Sequence, residues 1–347
     1  MPRVFAVLLI FLVLAPPPLR AAEVTPEQLQ ALARHSQALH QLYSQGLQIS
    51  AAMDDGEALI ESYLDGALTE PEMRQQVNAI RTEAGAAITA YQRDVAALPP
   101  PPRIGDRKRD EALAAFVAMV GGLTAKLEAQ AQLLPRLVDT AVAGDARAYE
   151  LAQADSLALA GAMILAENTA IEAALTSAGP RHPQRGLYHA SIGSNLAMGA
   201  ALILIEDSLR GAAPRSEDAR GRIADGLARA ERGIADGRRD AEAMLGRYAG
   251  KPAKTEEDRL GKRFIEDLVT AYGRAFDDET RIVSAMRGFL DDVLAARDAP
   301  GGAAATRLAR AAATFQGEIG PLMQARLDEQ ATRLRMVEEF SAALAAL

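Results

Sequence analysis

The sequence predicts an all-α fold of two tandem antiparallel helical-bundle repeats, with about four long helices in each repeat. Apolar residues recur at three- and four-residue steps through long segments, and alternating β-branched or aromatic runs are absent. The segment 204–212 also repeats the segment 59–67 at six of nine positions. We therefore expect repeats at 23–180 and 181–347, and the pattern leaves open whether they fuse into one elongated helical array.

The N-terminus has the pattern of a secretory signal peptide. Arg3 precedes an uninterrupted apolar run at 4–15, three prolines follow, and Ala21 and Ala22 supply a small-residue cleavage site. The run is shorter than the roughly 20 residues of a membrane-spanning helix. We expect residues 1–22 to be removed near Ala21/Ala22 and the mature chain to be periplasmic or secreted. An uncleaved N-terminal anchor is the alternative.

The composition excludes several functional classes. The chain has no cysteine, so disulfides, thiolate metal sites and cysteine nucleophiles are excluded. Its formal net charge of −8 disfavours nucleic-acid binding. Aromatic residues make up only 4 %, without tryptophan. We therefore expect a core of Leu, Ile, Val, Ala and Met between closely packed helices.

Local signals mark the helices of the first repeat. Thr25 before a proline begins the first helix, which runs to Leu64 or ends near Asp54. Thr69 with Glu72 three residues later forms the capping-box pattern of the second helix. The next two are predicted at 106–142, with Pro135 as a kink or break, and at 146–175.

The second repeat follows the same plan, with a glycine or proline turn after each of its first three helices. Its helices are predicted at 187–210, 216–248, 255–296 and 303–344.

Two smooth, apolar helices near the junction of the repeats suggest a ligand site. The segments 157–166 and 196–205 are rich in small residues, which indicates close helix packing. The alternative is a pocket there. The candidate ligand-binding residues are Met163, Glu167, Met198, Glu206 and, at the equivalent place in the first repeat, Glu61.

Two histidines support a second hypothesis. His35 and His189 occupy similar places in the two repeats, so they could face each other and bind a transition metal or haem with nearby carboxylates or methionines. The Glu-x-x-His motif of di-iron bundles is absent, which disfavours that class. Isolated histidines are the simpler interpretation, and it requires no cofactor.

No recognisable catalytic constellation appears, so we predict that the protein is not an enzyme. The predicted function is an exported, non-enzymatic helical module that binds a periplasmic or membrane-associated protein, or a small ligand, at or between its repeats. The alternative is a periplasmic metal- or haem-binding helical protein. We expect no nucleic-acid partner and no transmembrane span in the mature chain.

Overall fold

The computed structural model describes residues 25–103, 105–178, 181–211, 217–249, 252–297 and 303–346. These residues form eight α-helices and no β-strand, which confirms the all-α prediction. The helices are α1 (Pro26–Leu64), α2 (Glu70–Ala96), α3 (Arg107–Val142), α4 (Ala146–Ser177), α5 (Pro183–Arg210), α6 (Glu217–Ala249), α7 (Glu256–Arg297) and α8 (Ala303–Ala345). The predicted signal peptide lies outside the described residues.

The first two helices begin where the capping signals place them. Thr25 Oγ1 accepts a hydrogen bond from the Gln28 backbone N–H over 3.2 Å. The Glu72 carboxylate accepts from the Thr69 backbone N–H over 2.9 Å, which completes the capping box. These bonds satisfy backbone donors that the first turn of a helix leaves free.

Pro183 and His182 mark the start of α5, whereas two prolines inside other helices do not end them. α5 begins four residues earlier than predicted, because Pro183 fits its first turn and His182 Nδ1 accepts from the Gln184 backbone N–H over 3.2 Å. Pro135 lies inside α3 and Pro321 inside α8, and neither ends its helix.

Helices that are neighbours in the chain pack together in every case, and α1 also packs on α3, α5 on α7 and α8 on α1. The packing of α8 on α1 closes the array. Each packed pair has a counterpart four helices further along the chain. For example, the packing of α1 on α3 corresponds to that of α5 on α7, and the packing of α4 on α5 corresponds to that of α8 on α1. Two four-helix repeats would produce this pairing, and the division into repeats stays a prediction.

Glycines bring α5 and α6 into backbone contact. A Cβ on Gly193 would lie 2.5 Å from the carbonyl oxygen of Gly226 and from the Ala230 nitrogen. A Cβ on Gly186, two turns earlier, would lie 2.5 Å from the carbonyl oxygen of Gly233. The small-residue face of α5 therefore serves close packing against α6.

We expect Gly193→Ala to lower the free energy of unfolding by roughly 1–3 kcal/mol, because the new methyl group meets backbone atoms that cannot rotate away. Gly221→Ala on α6 is the matched control. A Cβ there meets nothing within 4 Å, so this change should stabilise the helix by roughly 0.5–1 kcal/mol. Urea unfolding of both variants measures the difference, and equal stability of Gly193→Ala and wild type would contradict the close contact.

The prediction of no transmembrane span is wrong. By length and composition, α3, α4 and α5 are each long and apolar enough to cross a membrane. The fold buries 78 % of the apolar window of α5 but only 39 % of that of α3 and 44 % of that of α4. Core packing thus accounts for the apolarity of α5 better than for that of its neighbours. An alanine- and leucine-rich core helix has the same composition as a membrane helix, so the sequence pattern did not separate the two.

Candidate functional site

A fully buried ion pair joins the last two helices. Arg326 of α8 and Glu279 of α7 lie 2.9 Å apart between Nε and Oε1, and their side chains are 3 % and 0 % exposed. Arg326 also donates from Nη2 to Ser191 Oγ of α5 over 2.6 Å. Removing two charges from water costs several kcal/mol per ion, so this pair depends on close geometry and further hydrogen bonds.

A second buried carboxylate extends this cluster to α4 and α3. Glu167 is 4 % exposed. Burial raises the pKa of Glu167 to about 8, and the charge of Arg326 and the nearby Asn195 side chain of α5 partly oppose this shift. Glu279 and Lys126 also lie within electrostatic reach of Glu167. We call the cluster the polar centre, and it consists of Lys126, Glu167, Ser191, Asn195, Glu279 and Arg326.

Several polar atoms in and beside the polar centre are buried without a hydrogen-bond partner among the described residues. They include Lys126 Nζ, Glu167 Oε1, Ser194 Oγ, Asn195 Oδ1 and Asn195 Nδ2, and the Glu279 oxygens have no hydrogen bond beyond the ion pair with Arg326. Buried polar atoms are hydrogen-bonded in the great majority of cases, because an unmet bond costs about 1–3 kcal/mol. Their convergence from α3, α4 and α5 therefore indicates a place where a further polar group would bind favourably.

The first half of the chain holds a related cluster that is satisfied internally. The alignment of the two repeated segments places Asn195 of α5 on Ser50 of α1. Ser50 Oγ donates to Gln130 Oε1, and Gln130 Nε2 donates to Asp54 Oδ1, each over 2.9 Å. The same alignment places Gln130 of α3 on Ala275 of α7, one turn before Glu279. Similar positions thus carry a small amide network in one half and a charged, incompletely bonded cluster in the other.

A buried polar layer links α1, α5, α7 and α8. Tyr272 Oη donates to Gln184 Oε1 over 3.0 Å, and the Arg333 guanidinium lies 5.6 Å from the centroid of the Tyr272 ring. Burial lowers the pKa of Arg333. Burial is also the main cause that lowers the pKa of His40 to about 4, so His40 is neutral at neutral pH.

The structure separates the candidate ligand-binding residues. Glu167 lies in the polar centre, Met198 is buried and Met163 is half-buried. Glu206 instead joins a chain of ion pairs near the start of α4, through Arg210 to Asp155, at 2.9 Å for each pair. Asp155 and Glu167 are twelve residues apart on one helix, or about 18 Å. Glu206 is therefore not part of the polar centre.

Glu61 lies in a different environment. It is half-buried on α1, one turn after Glu57, and both carboxylates are within electrostatic reach of Tyr149 on α4. Glu57 is 2 % exposed and accepts a hydrogen bond from Ser156 Oγ over 3.1 Å. Burial raises the pKa of Glu57 to about 7.

The two histidines of the metal hypothesis lie in separate interfaces. His189 faces α6, where its Cβ lies 2.9 Å from the position of a Cβ on Gly233. His35 is buried on α1, which does not pack directly against α5 or α6 in the described chain. Burial lowers the pKa of His35. Within the described residues, no group of three or more His, Asp or Glu side chains could hold a metal ion.

Five members of the polar centre were missed by the sequence reasoning. Arg326 and Glu279 lie on helices with many charged residues, so their types carry no signal of burial. A signal for Asn195 was available, since the repeat alignment that places it on Ser50 also places Tyr188 on Tyr43. All four of these aligned residues are buried.

No known protein family, no protein of curated function and no solved structure matches this chain.

We expect Arg326→Met to lower the free energy of unfolding by about 3–5 kcal/mol, because it leaves Glu279 buried without its partner. The double variant Arg326→Met/Glu279→Met should lose much less than the sum of its single variants, since no unpaired charge remains. Urea unfolding tests both statements. Arg287→Met, which breaks the half-exposed pair with Glu231, should cost less than about 1 kcal/mol. Additive losses at Arg326 and Glu279 would refute the coupling.

We also expect the contribution of Glu57 to stability to fall as the pH rises from about 4.5 to 7. Glu57 has a pKa of about 7 in the folded chain and an ordinary value of 4.5, so the folded state binds the additional proton between these values. Glu57→Gln should weaken this decline and be more stable than wild type at pH 8 by up to about 3 kcal/mol. Chemical unfolding at pH 4, 6 and 8 measures this. The exposed Glu83→Gln is the control, and an unchanged pH profile in Glu57→Gln would contradict the assignment.

Proposed function

We propose that the protein is an exported, non-enzymatic helical binding protein, and that a small polar molecule binds at its polar centre. The observation that carries the proposal is the set of buried, unbonded atoms around Glu167 and Asn195. A molecule that bonds to them would recover free energy that the folded chain alone leaves unrealised.

The comparison between the two halves supports binding over a purely structural role. Fixing the register of packed helices is the competing role for a buried polar cluster. The hydrogen-bonded network of Ser50, Gln130 and Asp54 can fix the register of its helices with one hydroxyl, one amide and one carboxylate. The polar centre contains a second carboxylate, an ammonium group and an unbonded amide, which register alone does not require.

The location of the charges also supports binding. Glu167 and Lys126 interrupt the apolar middles of α4 and α3, two of the helices that are apolar enough to cross a membrane. An ionisable group in an apolar interior is costly unless it finds a partner. The atoms Lys126 Nζ and Glu167 Oε1 are both buried.

Export is part of the proposal and is supported by the N-terminal sequence alone. Arg3, the apolar run at 4–15 and the small residues Ala21 and Ala22 have the order of a signal peptide.

Native mass spectrometry of the protein purified from its own periplasm tests the proposal. We expect a bound small molecule on the wild-type chain, and a chain mass that corresponds to cleavage near Ala21/Ala22. Asn195→Leu replaces the unbonded amide by an apolar group of similar size and should lose the bound molecule. Asn78→Leu, which makes the same change at an exposed position of α2, should retain it. A bare wild-type chain, together with an Asn195→Leu variant that is more stable than wild type, would refute a ligand site.

A further inference from the structure

We infer that the outer face of α3 and α4 binds the surface of a lipid bilayer, with its side chains in contact with the acyl chains. We call this surface the apolar face, and it consists of six exposed residues: Ala118, Gly122 and Ala125 on α3, and Ala158, Ala162 and Leu165 on α4. They recur at three- and four-residue steps, so they form one stripe along each helix. The apolar face lies on the outside of the array, and a partner there is independent of a ligand at the polar centre.

The stripes of the two helices are continuous with each other. An open groove of about 500 Å³ lies between α3 and α4. Its apolar lining is Ala129, Leu133, Ala158 and Leu159, and the ion pair of Arg136 with Asp155 also borders it. The helix α5 extends the surface further, because Leu196 is 42 % exposed, and a Cβ on Gly199, one turn later, would lie 3.9 Å from Ile164 of α4.

No exposed charge interrupts the apolar face. The helices α3 and α4 are described in full, and no charged side chain is exposed between Glu111 and Glu128 of α3 or between Asp155 and Glu172 of α4. Each segment contains one ionisable residue, which belongs to the polar centre and has a buried polar atom. The uncharged stretch of α4 is about 25 Å long at 1.5 Å per residue.

The counterpart helices show how a solvated face differs. In the packing of the array, α7 corresponds to α3 and α8 corresponds to α4. Their exposed positions include charged residues, among them Arg263, Glu266 and Arg274 on α7, and Glu318, Asp328 and Arg335 on α8. Both pairs of helices have the same place in the fold, so packing of the array does not require the apolar face. The core does not account for it either, because the apolar windows of α3 and α4 are only 39 % and 44 % buried.

The size and composition of the apolar face favour a bilayer over a second copy of the chain. Two helices, each about 10 Å wide and about 25 Å long, present roughly 500 Å². A stable protein interface buries about 800 Å² on each partner. The six residues of the face include no aromatic side chain and no arginine, which are the usual anchors of protein interfaces. Acyl chains require no such anchor, because the gain from burying apolar surface is not directional.

Single-tryptophan variants test the contact with acyl chains, because the chain has no tryptophan of its own. Leu165→Trp reports from the apolar face, where Leu165 is 68 % exposed, and Leu245→Trp on α6, where Leu245 is 36 % exposed, is the control. Each mature variant is mixed with phosphatidylcholine vesicles whose acyl chains carry bromine. We expect the fluorescence of Leu165→Trp to shift to the blue and to be quenched about twofold or more, and that of Leu245→Trp to stay unchanged.

A charge on the apolar face should weaken binding. Co-sedimentation of the mature chain with phosphatidylcholine vesicles measures the affinity. Ala162→Glu should lower it on the order of 10-fold or more, because a carboxylate is costly among acyl chains. Ala325→Glu, the same change at an exposed position of α8, is the matched control and should bind as wild type does. Urea unfolding verifies that both variants are folded.

Several outcomes would overturn the inference and leave a ligand at the polar centre unaffected. They are an absence of wild-type binding, equal binding of Ala162→Glu and wild type, and unquenched fluorescence of Leu165→Trp. Binding only to vesicles that contain phosphatidylglycerol would also overturn it, because a charged surface would then be responsible. A dimer in analytical ultracentrifugation that Ala162→Glu abolishes, without vesicle binding, would assign the apolar face to a second copy of the chain.

Discussion

The buried pair of Arg326 and Glu279 is the interaction on which the middle of the fold depends. It ties α8 to α7, and the bond from Arg326 to Ser191 ties both helices to α5. Charges removed from water tolerate little displacement, because their attraction must offset a desolvation cost of several kcal/mol per ion. The helices that carry these three residues are therefore held in one register, and Glu167 on α4 is placed against a fixed arrangement of charges.

Small side chains make this arrangement possible. Gly186 and Gly193 bring the backbone of α5 against that of α6, and Ala230 lies in the same contact. The core around them consists mostly of alanine and aliphatic residues, with few aromatic rings. Helices with narrow interfaces approach closely, so short polar side chains such as Ser191 and Asn195 reach the interior of the array. A core of large aromatic residues would separate the helices and place those groups out of contact.

The sequence predicted the class of fold and most helix ends, because those signals are local. Thr25 and Thr69 act on their own first turns, and three- and four-residue periodicity is a property of one helix. The sequence indicated Glu167 because an acid within an apolar run must find a partner. It could not indicate Arg326, whose burial follows from the packing of α8 against α1 and α7. Membrane-compatible apolarity was missed because alanine-rich core helices and membrane helices share one composition.

The closure of α8 onto α1 has a consequence for folding kinetics. Arg34 and Glu338 form an ion pair across this interface although they lie about 300 residues apart along the chain. Such a contact has a high sequence separation, and the entropy of closing the intervening loop must be overcome before the contact contributes stability. One side of α1 therefore stays uncovered until the last helix is available, and the native array is completed late in folding.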